Sequence, residues 1–91
     1  MINVNFLRID ESDVYLIGYK LKLSPTEKTI LESIAKNYGA SIEDLLPLLS
    51  DGVSRGNIAV HINSINKKAD GISARKLVLF EDGRYIINPY M

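Results

Sequence analysis

Alternating apolar and polar residues open the chain and predict strands. Segment 3–9 (NVNFLRI) roughly alternates and is rich in β-forming residue types. A polar stretch at 10–13 separates it from 14–18 (VYLIG) and 19–23 (YKLKL), with a glycine marking the turn between these two segments. The pattern therefore predicts an N-terminal three-stranded antiparallel sheet within residues 1–23.

Two capping boxes then predict the starts of two helices. Ser24 followed by Glu27, and Ser41 followed by Asp44, each place a hydroxyl and a carboxylate three residues apart. In this arrangement each side chain accepts a hydrogen bond from a backbone N–H that the first helical turn leaves free. We expect helices over 24–39 and 41–49, the second limited to about two turns by Pro47.

A third, longer helix is predicted over about 54–70 (SRGNIAVHINSINKKAD), with Ser54 as its cap. Ile58, Ile62, Ile65 and Ala69 recur at helical spacing and form a narrow apolar stripe. A β-hairpin follows, with strands at 76–80 and 84–88 and a turn at 81–83 (EDG). Two helices, a longer third helix and a hairpin are the order of a winged helix-turn-helix, an α+β fold.

The composition favours a single domain that binds rather than catalyses. The chain has 91 residues, 46% of them hydrophobic, no cysteine and one histidine. It lacks a thiol nucleophile, a glycine-rich phosphate loop and a plausible set of zinc ligands, so we expect no catalytic residues, metal or cofactor, and no enzyme activity. The sequence shows neither a signal peptide nor a membrane-length apolar run, and a cytoplasmic location is expected.

The net charge of zero conceals an uneven distribution. Residues 1–52 carry five Lys/Arg and eight Asp/Glu, a net of −3, whereas residues 53–91 carry six and three, a net of +3. A domain that presents one end to an anion has such an asymmetry, although a difference of this size also arises by chance in a short chain.

The sequence resembles the OmpR/PhoB-type effector domain of response-regulator transcription factors over nearly its whole length. LSPTEKTILESIAKN (23–37) looks like the first helix of that family, NIAVHINSINKK (57–68) is similar to its recognition helix, and DGRYIIN (82–88) resembles its wing. The resemblance implies one domain over 1–91: an N-terminal sheet (1–23), a three-helix core (24–71) and a wing hairpin (72–91). It also implies double-stranded DNA as partner, with the third helix in the major groove.

The sequence also departs from the family pattern. Asn63, Ser64 and Asn66 stand where the family usually has arginines, and the wing turn, usually basic, reads Glu81-Asp82. No receiver-domain sequence accompanies the effector-like motifs in these residues, and we expect a divergent member without one. These departures predict a weak DNA reader that depends on a homodimer or a partner protein for affinity.

The face opposite the apolar stripe supplies the candidate contacts, at about 100° per residue. Asn63 and Ser64 offer hydrogen bonds to bases, and Ala59 or Val60 offers an apolar contact to a thymine methyl group. Basic side chains flanking this face and entering the wing are candidates for phosphate contacts. The full set of predicted DNA-binding residues is Arg55, Asn57, Ala59, Val60, Asn63, Ser64, Lys67, Lys68, Arg75, Lys76 and Arg84.

An alternative to DNA binding stays open at this point. Asparagine and serine are ordinary residues on a solvated helix face, and a lysine pair near a helix C-terminus complements the helix dipole. The chain would then be a protein-interaction or dimerisation module of winged-helix form with little affinity for DNA. No small-molecule substrate and no membrane partner are expected on either interpretation.

Overall fold

The computed structural model describes residues 1–49 and 55–89. Four strands form an antiparallel meander in chain order: β1 (Ile2–Val4), β2 (Leu7–Ile9), β3 (Val14–Leu16) and β4 (Tyr19–Leu21). The remaining elements are α1 (Pro25–Lys36), α2 (Ile42–Leu45) with a 3₁₀ turn (Leu46–Leu48), α3 (Arg55–Ala69), and the wing hairpin β5 (Val78–Glu81) and β6 (Arg84–Ile87). Within the described ranges, no helix has both the length and the apolar character to cross a membrane.

The N-terminal sheet has four strands, and the prediction of three was wrong. The segment read as one strand over 3–9 folds back on itself at Asn5 and Phe6, which places Val4 opposite Leu7. Asn5 adopts a left-handed backbone conformation with φ of 54°, which asparagine tolerates better than most residues. The two-residue turn therefore converts one expected strand into the hairpin β1–β2.

Both predicted capping boxes are present. The Ser24 hydroxyl accepts a hydrogen bond from the Glu27 N–H while the Glu27 carboxylate accepts one from the Ser24 N–H, and Ser41 and Asp44 repeat the arrangement in α2. α2 has only four residues before the chain tightens into a 3₁₀ turn around Pro47, whose ring nitrogen has no hydrogen to donate. The expected turn at 50–52 and the Ser54 cap lie outside the described residues.

One hydrophobic core joins the sheet, the helices and the wing. The stripe predicted on the third helix is buried, and it meets the apolar face of α1 and the inner faces of both sheets. The side chains at the centre, each with less than 2% of its surface exposed, are Leu7, Ile9, Leu16, Ile30, Leu31, Ile34, Leu45, Ile58, Ile65 and Leu77. This shared core fixes the orientation of α3 relative to the rest of the domain.

The corner between α1 and α2 is joined to the wing by backbone hydrogen bonds. The Ala40 N–H donates to the Tyr85 carbonyl at 2.9 Å, and the Tyr85 N–H donates to the Ala40 carbonyl at 2.8 Å. Gly39, with φ of 131°, turns the chain into this bridge in a conformation that side-chain-bearing residues rarely adopt. The wing therefore has β5 on one side of β6 and this linker on the other.

Candidate nucleic-acid interface

The solvent-facing side of α3 carries small and polar residues. The helix exposes Asn57, Ala59, Val60, Asn63 and Lys67, and it buries the isoleucine stripe on its opposite side. Val60 is 64% exposed, so its apolar side chain is available for contact. This group, called the reading face below, offers amide donors and acceptors, two apolar contacts and one cation. Arg55 begins the helix, and its side chain lies outside the described part of the structure.

One flank of the reading face contacts α1 through an ion pair. Lys68 Nζ lies 2.5 Å from Glu27 Oε1, and the Ser64 hydroxyl one turn earlier also hydrogen-bonds to the Glu27 side chain. The same carboxylate oxygen accepts the Ser24 N–H at 2.8 Å. Two of the predicted DNA-contacting residues are therefore engaged inside the domain.

Glu27 is the most perturbed acid of the described residues. Burial raises the pKa of its carboxyl group, but hydrogen bonds from Lys68, Ser64 and the Ser24 backbone, with the charge of Lys68, outweigh burial and lower the pKa to about 2. Glu27 is therefore a carboxylate at neutral pH, although only 3% of its surface is exposed.

The other flank of α3 contacts the wing through Asn66. Its side-chain amide is hydrogen-bonded to the backbone N–H and carbonyl of Val78 in β5. Farther along the hairpin, the Asn88 side chain donates to the Lys76 carbonyl at 2.8 Å. The Asn66 contacts hold β5 against α3, and the Asn88 contact joins the end of the hairpin to the segment that enters it.

The wing places its predicted cations in two different environments. Arg75 and Lys76 are exposed just before β5. Arg84 lies beside the two-residue turn of Asp82 and Gly83, and its guanidinium donates to the Gly39 carbonyl at 2.7 Å. Arg84 therefore braces the wing against the α1–α2 corner.

Two aromatic residues share one face of the wing. The rings of Phe80 and Tyr85 meet edge to face with centroids 4.8 Å apart. Tyr85 is buried and packs into the core, whereas Phe80 is 56% exposed. Tyr90, the other tyrosine near the wing end, lies outside the described residues.

The structure thus separates the predicted contact residues into three groups. The reading face forms one contiguous group on α3, and Arg75 with Lys76 forms a second at the entrance of the wing. Ser64, Lys68 and Arg84 form the third, because each is bonded to another part of the domain. No cluster of three His, Cys, Asp or Glu residues suited to a metal ion occurs in ranges 1–49 and 55–89.

Sequence reasoning missed the roles of Glu27 and Asn66. Glu27 was assigned only to a capping box, and its contact with Lys68 spans 41 positions of sequence. The residue types alone, a lysine, a serine and an asparagine within one helix, do not indicate which neighbouring element each side chain will contact. The available signal was angular: at about 100° per residue, Ser64 and Lys68 fall on one flank of the reading face and Asn66 on the other.

Comparisons with known proteins place this geometry in a known fold. No protein-family model matches the sequence, and no curated protein sequence matches it. Among solved structures, the chain is similar to the DNA-binding domain of response regulator AdeR in complex with an intercistronic region, with a TM-score of 0.76 and 18% sequence identity. The match covers 94% of this chain and 97% of that chain. Because identity is low, the likeness shows the fold: the predicted winged-helix architecture is confirmed, with a fourth N-terminal strand.

Proposed function

We propose that this chain binds double-stranded DNA as the DNA-binding domain of a transcriptional regulator, with α3 in the major groove and the β5–β6 hairpin as the wing. The observation that carries the proposal is the reading face, a row of exposed small and polar side chains on a helix held rigidly from both flanks. The fold supports it, because the structurally similar AdeR domain is described in complex with DNA. The predicted cytoplasmic location is part of this proposal.

Within the reading face, each residue type suits a different part of a base pair. Asn63 presents both a donor and an acceptor, which match the major-groove edge of adenine. Ala59 and Val60 suit the thymine methyl group, and Val60 is 64% exposed and therefore accessible to it. Lys67 binds a phosphate and fixes the register without reading sequence.

The small number of available cations predicts modest affinity. Lys67 and Lys76 are exposed and form no ion pair with the described residues, while Lys68 and Arg84 are engaged internally. Two to four phosphate contacts per domain correspond to a slope of log K against log salt of about −1.8 to −3.6. Two copies on adjacent half-sites would multiply the affinity, and we propose a homodimer, or assembly with a partner protein, on the DNA.

A second candidate function is protein binding through the N-terminal sheet. Phe6 and Tyr19 are 57% and 66% exposed, and the tip of the wing carries the exposed acids Glu81, at the end of β5, and Asp82, in the turn. Exposed aromatic residues are common in protein interfaces, and an acidic turn disfavours approach to phosphates. This alternative predicts no measurable affinity for duplex DNA.

A fluorescence-anisotropy titration with a labelled duplex separates the two functions. The parent protein should bind at about 50 mM salt and weaken as salt rises with the slope given above. Lys67→Glu should weaken binding strongly, and Lys22→Glu, the same charge change at an exposed lysine after β4, should weaken it much less. Absence of binding at about 50 mM salt would favour the protein-binding alternative.

A further inference from the structure

Lys68 and Lys67 are adjacent in sequence but occupy different electrostatic environments. Lys67 lies on the reading face, exposed and without an ion pair among the described residues. Lys68 is turned toward α1, where its ammonium group meets Glu27 at 2.5 Å, although 41% of its side chain stays exposed. Without the ion pair to Glu27, a side chain with that exposure would be accessible to a phosphate.

We propose that Glu27 withholds Lys68 from the DNA backbone and so lowers sequence-independent binding. This inference rests on the proposed function and deepens it. Glu27 acts through Lys68 and Ser64 and does not itself touch DNA, because a carboxylate next to phosphates would be repelled. It is therefore a positioning residue.

The burial of Glu27 explains why the lysine is retained. Only 4% of the Glu27 side chain is exposed, and the Ser24 N–H anchors the same oxygen that binds Lys68. Departure of Lys68 would leave a buried carboxylate without its charged partner, which is far more costly than breaking a surface pair. A phosphate that competes for the Lys68 ammonium group must therefore compensate for this cost. An exposed surface pair would impose little such cost.

The protonation state keeps the pair intact under ordinary conditions. The pKa of Glu27, lowered to about 2, leaves the carboxylate charged throughout the neutral and mildly acidic range.

The consequence for DNA recognition is a lower affinity for every duplex and a weaker dependence on salt. Lysine–phosphate contacts contribute to every duplex equally, so withholding one lowers sequence-independent binding without altering the reading of bases. One phosphate contact changes the slope of log K against log salt by about 0.9. When salt rises from about 50 to 200 mM, that contact therefore lowers the binding constant by about a further 3.5-fold.

The test measures that slope on a random-sequence duplex for four variants and the parent. Glu27→Gln retains the capping box, which accepts glutamine at this position, but removes the charge that holds Lys68. We expect E27Q to steepen the slope by about 0.9 and to tighten binding at low salt. K68Q should leave the parent slope unchanged, K67Q should flatten it by about 0.9, and E27Q/K68Q should return it to the parent value.

The opposite results identify which claim fails. If K68Q has a slope about 0.9 flatter than that of the parent, Lys68 already binds phosphate in the parent protein. That result overturns the inference even if E27Q does not fold. Weaker binding by folded E27Q with an unchanged slope means that Glu27 only supports the fold, which also overturns it. Absence of salt-dependent binding by the parent and by E27Q overturns the proposed function, and with it this inference.

Discussion

Asn66 of α3 forms two hydrogen bonds to the backbone of Val78 in β5: its Nδ2 donates to the carbonyl at 3.1 Å, and its Oδ1 accepts the N–H at 2.8 Å. Val78 is 2% exposed, so water cannot replace these bonds without rearrangement. This side chain therefore fixes the wing to α3 by hydrogen bonds, in addition to the core that both elements share.

Replacing Asn66 by alanine should destabilise the domain, whereas replacing Asn63 should not. Asn66→Ala leaves a buried donor and acceptor on Val78 unpaired, which costs about 1–3 kcal/mol of the free energy of unfolding. Asn63→Ala, three residues earlier on the exposed face, should change stability by less than about 0.5 kcal/mol but weaken DNA binding. Urea unfolding followed by circular dichroism, with duplex titrations beside it, measures both effects. Equal stability of the two variants would contradict the anchoring role of Asn66.

Ile17 is a strained residue whose replacement should stabilise the protein. It has φ of 52° in the turn between β3 and β4, followed by Gly18 with φ of 80°. A β-branched residue is disfavoured there, while Asn-Gly is the preferred pair for a hairpin turn of this hand. Because Ile17 is 41% exposed, Ile17→Asn gives up part of the burial of an aliphatic side chain, and this loss offsets part of the relief of strain. The net stabilisation should be about 0.5–1 kcal/mol at most in thermal or urea unfolding.

Ile17→Val provides the matched control for that turn. Valine keeps the branched side chain and its strain at positive φ, and it should give no stabilisation. If Ile17→Asn unfolds at lower temperature than Ile17→Val, the strain argument fails.

Gly39 should not tolerate a side chain. An alanine Cβ there would make only ordinary contacts, 3.4 Å from the Ile86 side chain and 3.5 Å from the Tyr85 carbonyl, so the obstacle is the φ of 131°. We expect Gly39→Ala to lower the free energy of unfolding by about 1–3 kcal/mol because the backbone region is strained for any residue but glycine. Gly71→Ala is the control: its Cβ would meet only the Lys68 carbonyl at 3.6 Å, an ordinary contact, and urea unfolding should show much the smaller change.

The Glu27 carboxylate should make stability depend on acid pH. Its pKa falls from an ordinary value of 4.5 to about 2 in the folded protein, so the folded state binds this proton less readily than the unfolded state. The stabilisation is therefore present above about pH 4.5 and is lost as pH falls through about 2, on the order of 3 kcal/mol in total. Asp44, whose pKa is also lowered, mainly by the Ser41 backbone hydrogen bond, contributes with the same sign.

The comparison of E27Q with the parent isolates the Glu27 contribution. E27Q should lose less stability than the parent between pH 5 and pH 2.5 in urea unfolding, since glutamine does not titrate. If the two proteins lose stability in parallel across that interval, the Glu27 pKa is not lowered as the contacts with Lys68 and Ser64 imply.

Local signals predicted most of the fold. Hydroxyl–carboxylate pairs located the starts of α1 and α2 at Ser24 and Ser41, because capping depends on residues three positions apart. The isoleucine spacing of α3 also predicted its buried side, because helical periodicity is a local property of the sequence. The missed turn in the N-terminal sheet had a signal as well. The apolar residues Ile2 and Val4 lie at even positions, whereas Leu7 and Ile9 lie at odd positions. One straight strand would send these pairs to opposite faces.

The candidate site was only partly predictable because its constraints are long-range. The reading face followed from helical geometry, and Asn63 and Lys67 are exposed as that geometry requires. Lys68 and Asn66 look equally polar in sequence, yet one meets a carboxylate of α1 and the other a backbone of β5. Which partner each residue meets depends on how the helices and the wing pack, and no local pattern encodes that.

The most direct test of the account is a titration of ¹⁵N-labelled protein with a short duplex, followed by amide chemical shifts. The account predicts the largest shifts on the reading face, at Ala59, Val60, Asn63 and Lys67, with the Asn63 side-chain amide moving and that of Asn66 staying near its free position. Shifts concentrated at Phe6, Ile17 and Tyr19 with α3 unchanged, or no shifts at excess duplex and about 50 mM salt, would contradict it.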